Sequence, residues 1–131
     1  MNYLGIDYGK KRVGLAVADS NLKMAAPFDV IADQGDDFVI AEIQKVVKQE
    51  DIDEIIVGLP IALSGKITEQ TKDILNFCEI LKEKTKKPVH KEDERMTSRL
   101  ADTLLKDIKD RKKQDAVAAM IILQSYVDKQ S

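Results

Sequence analysis

Short apolar runs alternate with polar turns over the first quarter of the chain. The segments 3–8, 13–19 and roughly 24–32 have the length and composition of β-strands. The turns between them, 9–12 and 20–23, are only four residues long. Turns this short join antiparallel neighbours, so the pattern predicts a three-stranded meander.

The spacing of the apolar residues changes after residue 34. From Val39 to Val47 they recur with the period of one helix face, and Asp36 or Asp37 is expected to cap this helix. The segment 54–57 follows and is predicted to be a buried parallel strand, because its apolar run is continuous.

The second half of the chain is predicted to be mainly helical. A second helix with one apolar face leads into a brief strand of about four residues within "KPVHKED". The apolar spacing from Ala101 to Ile108 indicates a third helix, and a basic stretch then precedes a final helix that is apolar at its start. The apolar face of the second helix comprises Ile74, Phe77, Cys78 and Leu81.

The order βββ–α–β–α–β–α–α predicts an α/β fold, in which a five-stranded mixed sheet carries helices on both faces. The chain has 131 residues and contains neither an internal repeat nor a linker. We therefore expect a single domain over residues 1–131.

Composition excludes a chain coated with positive charge. Lys and Arg number 21 against 23 Asp and Glu, a net charge of −2, so any nucleic-acid contact must come from a local basic patch, at 10–12 or 106–113. The single cysteine permits no intrachain disulfide. The longest apolar run, 116–123, is far shorter than the ~20 residues of a membrane helix. With no signal-peptide pattern, we expect a cytoplasmic protein without membrane contact.

Acidic residues are predicted to gather at one edge of this sheet. Asp7 closes the first strand, Asp93 and Glu94 follow the fifth, and Asp115 opens the last helix. Oxygen ligands suit Mg²⁺ or Mn²⁺, and such ions activate water for phosphodiester cleavage. Each acid also has a structural explanation: a turn residue at Asp7, a helix cap at Asp115 and a solvated loop at "EDER".

A cation adjoins each of these acids along the chain, which suits a substrate made of phosphates. A charged surface that only keeps the protein soluble is the alternative. His90 and Cys78 are expected to be structural, since no nucleophile or zinc pattern accompanies them. The candidates for nucleic-acid contact are Lys11, Arg12, Arg95, Lys112 and Lys113.

Four segments together resemble the YqgF family across nearly the whole chain: "GIDYGKKRVGLAVAD", "VGLP", "DERMTSRLA" and "DAVAAMIILQSYV". The family comprises small bacterial proteins described as candidate pre-16S rRNA nucleases and as candidate Holliday junction resolvases. The resemblance implies a ribonuclease H-like fold and metal-dependent phosphodiester hydrolysis. It assigns Asp7, Glu94 and Asp115 as the catalytic and metal-binding acids. Asp93 remains the alternative to Glu94 for the second acid. The loop "IALSGKIT" departs from the family pattern.

The sequence thus favours a Mg²⁺- or Mn²⁺-dependent nuclease that processes the 5′ side of precursor 16S rRNA. Its expected partners are nucleic acid and the pre-ribosomal particle, and its expected state is a monomer or weak homodimer. The alternatives are a Holliday junction resolvase acting on branched DNA and a non-catalytic ribosome-assembly factor that binds RNA. A kinase of the actin-like superfamily would need a second domain that 131 residues do not supply.

Overall fold

The computed structural model describes residues 1–60, 66–93 and 103–130, and a five-stranded sheet forms its centre. The strand order is β3-β2-β1-β4-β5, in which β1 pairs antiparallel with β2 and parallel with β4. This mixed sheet confirms the predicted meander and the two later parallel strands. The strands are β1 Asn2–Tyr8, β2 Arg12–Asp19, β3 Met24–Ala32, β4 Glu54–Leu59 and β5 Val89–Asp93.

Helices cover both faces of the sheet, as predicted. The helices are α1 Asp36–Gln49, α2 Glu69–Thr85 and α3 Arg111–Lys129. The cluster that contains Leu4 and Ile6 of β1 packs against α1 and α2, whereas Tyr3 of the same strand packs against α3. Because side chains alternate along a strand, Gly5 and Asp7 also lie on the α3 face.

The first turns of α1 and α3 differ from the predictions. Gly35, with a φ of 108°, caps α1, because the carboxylate of Asp36 accepts the hydroxyl of Tyr8 instead of a backbone N–H of its own helix. Asp110 caps α3 by accepting the N–H of Lys112 at 2.9 Å. Asp115, which was expected to open this helix, therefore lies beyond its first turn.

The predicted third helix is seen only in part. Residues 103–105 are helical, and the N–H of Ile108 then donates to the carbonyl of Leu105 at 3.1 Å. This helix ends before Ile108, and its start at Ala101 lies outside the described residues. The basic stretch was expected to precede the last helix, but part of it is helical because α3 begins at Arg111.

No helix within the described ranges is long and apolar enough to cross a membrane.

Cys78 is a core residue, which confirms its structural interpretation, and its thiol is expected to resist modification. Only 1% of it is exposed, and burial raises its pKa to about 11, against about 8.5 for a free thiol. At pH 8 the folded protein therefore holds roughly a thousandth of the thiol as thiolate, whereas the unfolded chain holds roughly a quarter. We expect Ellman's reagent to label Cys78 only as fast as the protein unfolds, and promptly in guanidinium. Immediate labelling of the native protein would contradict this burial.

Candidate active site

Asp7 lies at the carboxyl end of the central strand β1. It is half-buried, and its cross-strand neighbour in β2 is Gly14. Two positions earlier on the same face, Gly5 lies under α3, where an added Cβ would come within 2.7 Å of the Cβ of Leu123. Asp7 is thus held at the end of a strand over which α3 packs at close range.

The backbone of α3 touches the sheet at Gly14. A Cβ at this position would lie 2.0 Å from the carbonyl oxygen of Asp115, so only glycine permits the contact. Adjacent strands are about 4.8 Å apart, and Asp7 is therefore one strand spacing from the point where Asp115 meets the sheet. The structure brings together two of the three predicted acids, which are more than a hundred positions apart in the chain.

Arg12 is the direct partner of Asp115. Its Nε lies 2.5 Å from Oδ2 of the carboxylate, and the side chains are 28% and 26% exposed. A half-buried pair of this geometry is a charge-assisted hydrogen bond, and is stronger than an ion pair fully in water. The predicted phosphate-binding arginine and the predicted metal-binding acid are therefore in contact with each other.

The third acid is Glu94 or Asp93 in the prediction. Asp93 is the last residue of β5, in register with Leu59 of β4. It alternates with Glu92, which contacts α3, so Asp93 faces the α1 and α2 side and is separated from Asp7 by the sheet. Glu94, with Arg95, lies outside the described residues.

Tyr8 anchors the end of β1 from the opposite face. Its ring packs against Phe77, with centroids 4.4 Å apart, and its hydroxyl donates to Asp36. Burial, followed by this hydrogen bond and the negative charges of Asp36, Asp33 and Asp73, raises the pKa of Tyr8 well above its ordinary value. The tyrosine remains a neutral donor, and the residue next to Asp7 is locked in place.

Glu92 is a buried carboxylate that the sequence interpretation missed. It is 3% exposed, and is the one charged side chain fully buried within the described part of the chain. It pairs with Lys129 at the end of α3, while Arg12 and Asp115 pair near its start. This ion pair gives Glu92 a structural role, because it holds the end of α3 against β5. Alternation along β5 places Glu92 on the same face as His90, and this could have predicted its contact with α3. The sequence did not show that the strand extends as far as Glu92.

The predicted cations lie at two places around these acids. Lys11 is exposed in the turn between β1 and β2, where Gly9 donates its N–H to the carbonyl of Arg12 at 3.1 Å. Lys112 and Lys113 are exposed in the first turn of α3, three and two residues before Asp115.

His90 lies far from this edge and has a packing role. Its Nε2 is 2.5 Å from Oε1 of Glu54, and its ring stacks on Tyr126 with centroids 5.3 Å apart. Burial raises the pKa of Tyr126 above its ordinary value, so the phenol stays neutral in this contact. These contacts agree with the structural role expected for the histidine.

The carboxylates of the site supply some, but not all, of the ligands that a divalent ion needs. Asp7 and Asp115 offer carboxylate oxygens on one face, which are the ligands that Mg²⁺ and Mn²⁺ prefer. No group of three or more His, Cys, Asp or Glu that could hold a metal occurs in the ranges that the structure describes. A complete set therefore needs a further ligand, for which Glu94 is the predicted residue.

The chain is similar to known proteins both in sequence and in structure. The RuvX family, described as Holliday junction resolvase, matches residues 1–129. A candidate pre-16S rRNA nuclease of Rickettsia africae is 36% identical over 130 residues, covering 95% of this chain and 84% of the relative. One from Maridesulfovibrio salexigens is 36% identical over 132 residues, covering 97% and 98%.

The fold is that of the RuvC resolvases. RuvC of T. thermophilus, solved in complex with a Holliday junction substrate, superposes with a TM-score of 0.66 over 99% of this chain and 95% of RuvC, at 14% identity. An identity this low bears on the fold alone. It agrees with the ribonuclease H-like fold that the sequence resemblance implied.

Proposed function

The chain belongs to the RuvX family and is a hydrolytic nuclease by that membership, and we propose that its substrate is structured RNA at the 5′ side of precursor 16S rRNA. The observation that supports a nuclease site is the contact of α3 with Gly14, which brings Asp115 near Asp7 on one face of the sheet. The RNA assignment follows the relatives that are 36% identical, rather than RuvC at 14%.

We propose that Asp7 and Asp115 hold Mg²⁺ or Mn²⁺, with Glu94 as the further ligand or as the group that orients water. Such an ion, when bound, lowers the pKa of a coordinated water and stabilises charge on the phosphate oxygens. The register of β5 supports Glu94 over Asp93, because Asp93 belongs to the opposite face. The chain itself contributes fixed carboxylates, since Tyr8 anchors β1 and Gly14 anchors α3.

The cations around the site would hold the phosphate backbone of the substrate. Lys11 approaches from the β1–β2 turn, and Lys112 and Lys113 approach from the first turn of α3. Lys and Arg contacts to phosphate supply affinity without sequence preference. Specificity for a precursor rRNA would then come from the shape of the RNA and from the pre-ribosomal particle.

A Holliday junction resolvase is the second candidate function, favoured by the description of the matched family. The test is cleavage, in parallel, of a precursor 16S leader RNA and a four-way DNA junction, with Mg²⁺, with Mn²⁺ and with EDTA. We expect cutting of the RNA only, and only with a divalent ion. Symmetric cutting of the junction alone would establish the resolvase. Binding of RNA with no cutting under any condition would favour an assembly factor.

Arg12 is expected to weaken metal binding in the absence of substrate. Its guanidinium neutralises the carboxylate of Asp115 at 2.5 Å, so a divalent ion must share that carboxylate with a positive charge. Removing a unit charge a few ångströms from a divalent ion is worth on the order of tenfold in affinity, even near water. We expect Arg12→Gln to bind Mn²⁺ about tenfold more tightly in a calorimetric titration without nucleic acid. Arg111→Gln, an exposed charge-matched control, should bind as the wild type does. Unchanged or weaker binding in Arg12→Gln would contradict this role.

A further inference from the structure

A groove beside the candidate active site runs between the edge strand β3 and the start of α3. It encloses about 480 Å³, within the range of small-ligand sites and too small for a duplex. Pro27, Phe28 and Val30 line it from β3, and Ala116 and Val117 line it from α3. The two walls are apolar, and Lys112 and Lys113 line the same groove.

A bulge in β3 presents Phe28 to this groove. Leu15 of β2 is in register with Asp29, and the next residue, Ala16, is in register with Pro27. Phe28 is therefore the extra residue of a β-bulge, a feature that re-aims side chains and is frequent beside active sites. It belongs to neither buried cluster and is 37% exposed, so its ring is available for contact with a ligand.

The charge on this groove favours an anionic ligand. Lys112 and Lys113 lie in the first turn of α3, where the helix dipole adds to their positive charge. The one acid in the lining, Asp29, accepts the N–H of Val30 at 2.8 Å and is turned to its own strand. An aromatic ring beside two cations is the combination with which proteins bind unpaired nucleotides.

We propose that the groove holds one unpaired nucleotide of the substrate, with its base stacked on Phe28 and its phosphate at Lys112 and Lys113. The inference rests on the proposed function and adds a substrate feature to it, namely an unpaired nucleotide next to the cleaved bond. Its position supports this, because Lys112 and Asp115 are neighbours across one turn of α3, about 5–6 Å apart. An RNA strand whose cleaved phosphate lies at Asp7 and Asp115 would therefore place its adjoining nucleotide in the groove.

The test uses tryptophan fluorescence, because the chain contains no tryptophan. Phe28→Trp places an indole in the groove, and Phe38→Trp is a matched control at 36% exposure on α1, across the sheet. Each variant is titrated in EDTA with a single-stranded RNA 12-mer and with its fully paired duplex. We expect the single strand to quench Phe28→Trp strongly, the duplex to quench it little, and neither to change Phe38→Trp.

Two further variants connect the signal to the proposed contacts. In fluorescence anisotropy of an end-labelled 12-mer, Phe28→Ala should bind the single strand at least fivefold more weakly than the wild type, since stacking on an aromatic ring is worth about 1–3 kcal/mol per base. Lys112→Gln with Lys113→Gln in the Phe28→Trp background should shift the quenching curve to at least fivefold higher RNA, and reduce its salt dependence. Equal quenching of both tryptophan variants, equal quenching by the duplex, or unchanged affinity in Phe28→Ala would overturn the proposal.

The cleavage assay, run in parallel on the same preparations, distinguishes this inference from the proposed function. Quenching by single-stranded RNA without cleavage of any substrate retains the groove and overturns the proposed reaction. Cleavage of the precursor RNA with no quenching of Phe28→Trp retains the reaction and overturns the groove. A groove that instead binds a protein partner gives the second result, because no RNA would stack there.

Discussion

Changing Asp7 to asparagine is expected to lower the rate of cleavage about a thousandfold or more, while the free energy of unfolding changes by less than about 1 kcal/mol. The carboxylate is the proposed metal ligand at the end of β1, and asparagine keeps its shape while removing its charge. Loss of metal-assisted catalysis is worth several kcal/mol, and each 1.36 kcal/mol is a factor of ten in rate. The measurement is single-turnover cleavage of the precursor RNA, with urea unfolding of the same sample.

Asp93→Asn is the matched control for this experiment. Both aspartates lie at the carboxyl ends of parallel strands, β1 and β5, which are separated by β4. Asp93 faces α1 and α2, whereas Asp7 faces α3. We expect Asp93→Asn to retain cleavage within a few fold. Full activity in Asp7→Asn would reject the proposed metal site, and a large loss in Asp93→Asn alone would move the second acid to that position.

Gly14→Ala is expected to destabilise the fold by about 2 kcal/mol and to abolish most of the cleavage. The new methyl group would lie 2.0 Å from the carbonyl oxygen of Asp115, and a backbone atom cannot move aside as a side chain can. Overpacking of this kind costs about 1–3 kcal/mol, against which the lower entropy of the unfolded chain returns less than 1. Relief requires α3 to lift off β2, which carries Asp115 away from Asp7. Urea unfolding and cleavage well below the melting temperature measure the two effects.

Gly5→Ala is the comparison for this variant, because it adds the same methyl group under the same helix. Its nearest contacts are the Cβ of Leu123 at 2.7 Å and the carbonyl of Ala119 at 3.1 Å, which lie about two turns and one turn beyond Asp115 along α3. We expect Gly5→Ala to lose less stability than Gly14→Ala and to retain cleavage, since the part of α3 that it displaces is remote from Asp115. Wild-type stability in Gly14→Ala would show that α3 does not approach the sheet this closely.

The order of the strands along the chain and the presence of helices on both faces were predictable, because the periodicity of apolar residues is a local property. Alternation along a strand and a repeat near 3.6 along a helix depend on residues a few positions apart. The same logic located Asp7 at the end of the first strand, where the chain turns back through Gly9. Helix starts were less predictable. Asp36 is a residue type that often caps helices, but its carboxylate accepts the hydroxyl of Tyr8, 28 positions earlier, instead.

The pairs that build the site depended on tertiary structure. Arg12 and Asp115 are 103 positions apart, so no sequence window could show that two predicted functional side chains contact each other. Gly14 gave no signal as the contact point of α3, since a glycine in a strand has many explanations. The burial of Glu92 and the bulge at Phe28 likewise arise from register between strands.

The elements, their order along the chain and the residue types at the ends of the strands could therefore be predicted from local spacing and residue type. The acids that share a face, the cation that neutralises Asp115 and the aromatic ring that borders a groove are set by the packing of the elements. Those outcomes follow from strand register and from the approach of α3 to Gly14, where distances of a few ångströms join residues remote in the chain.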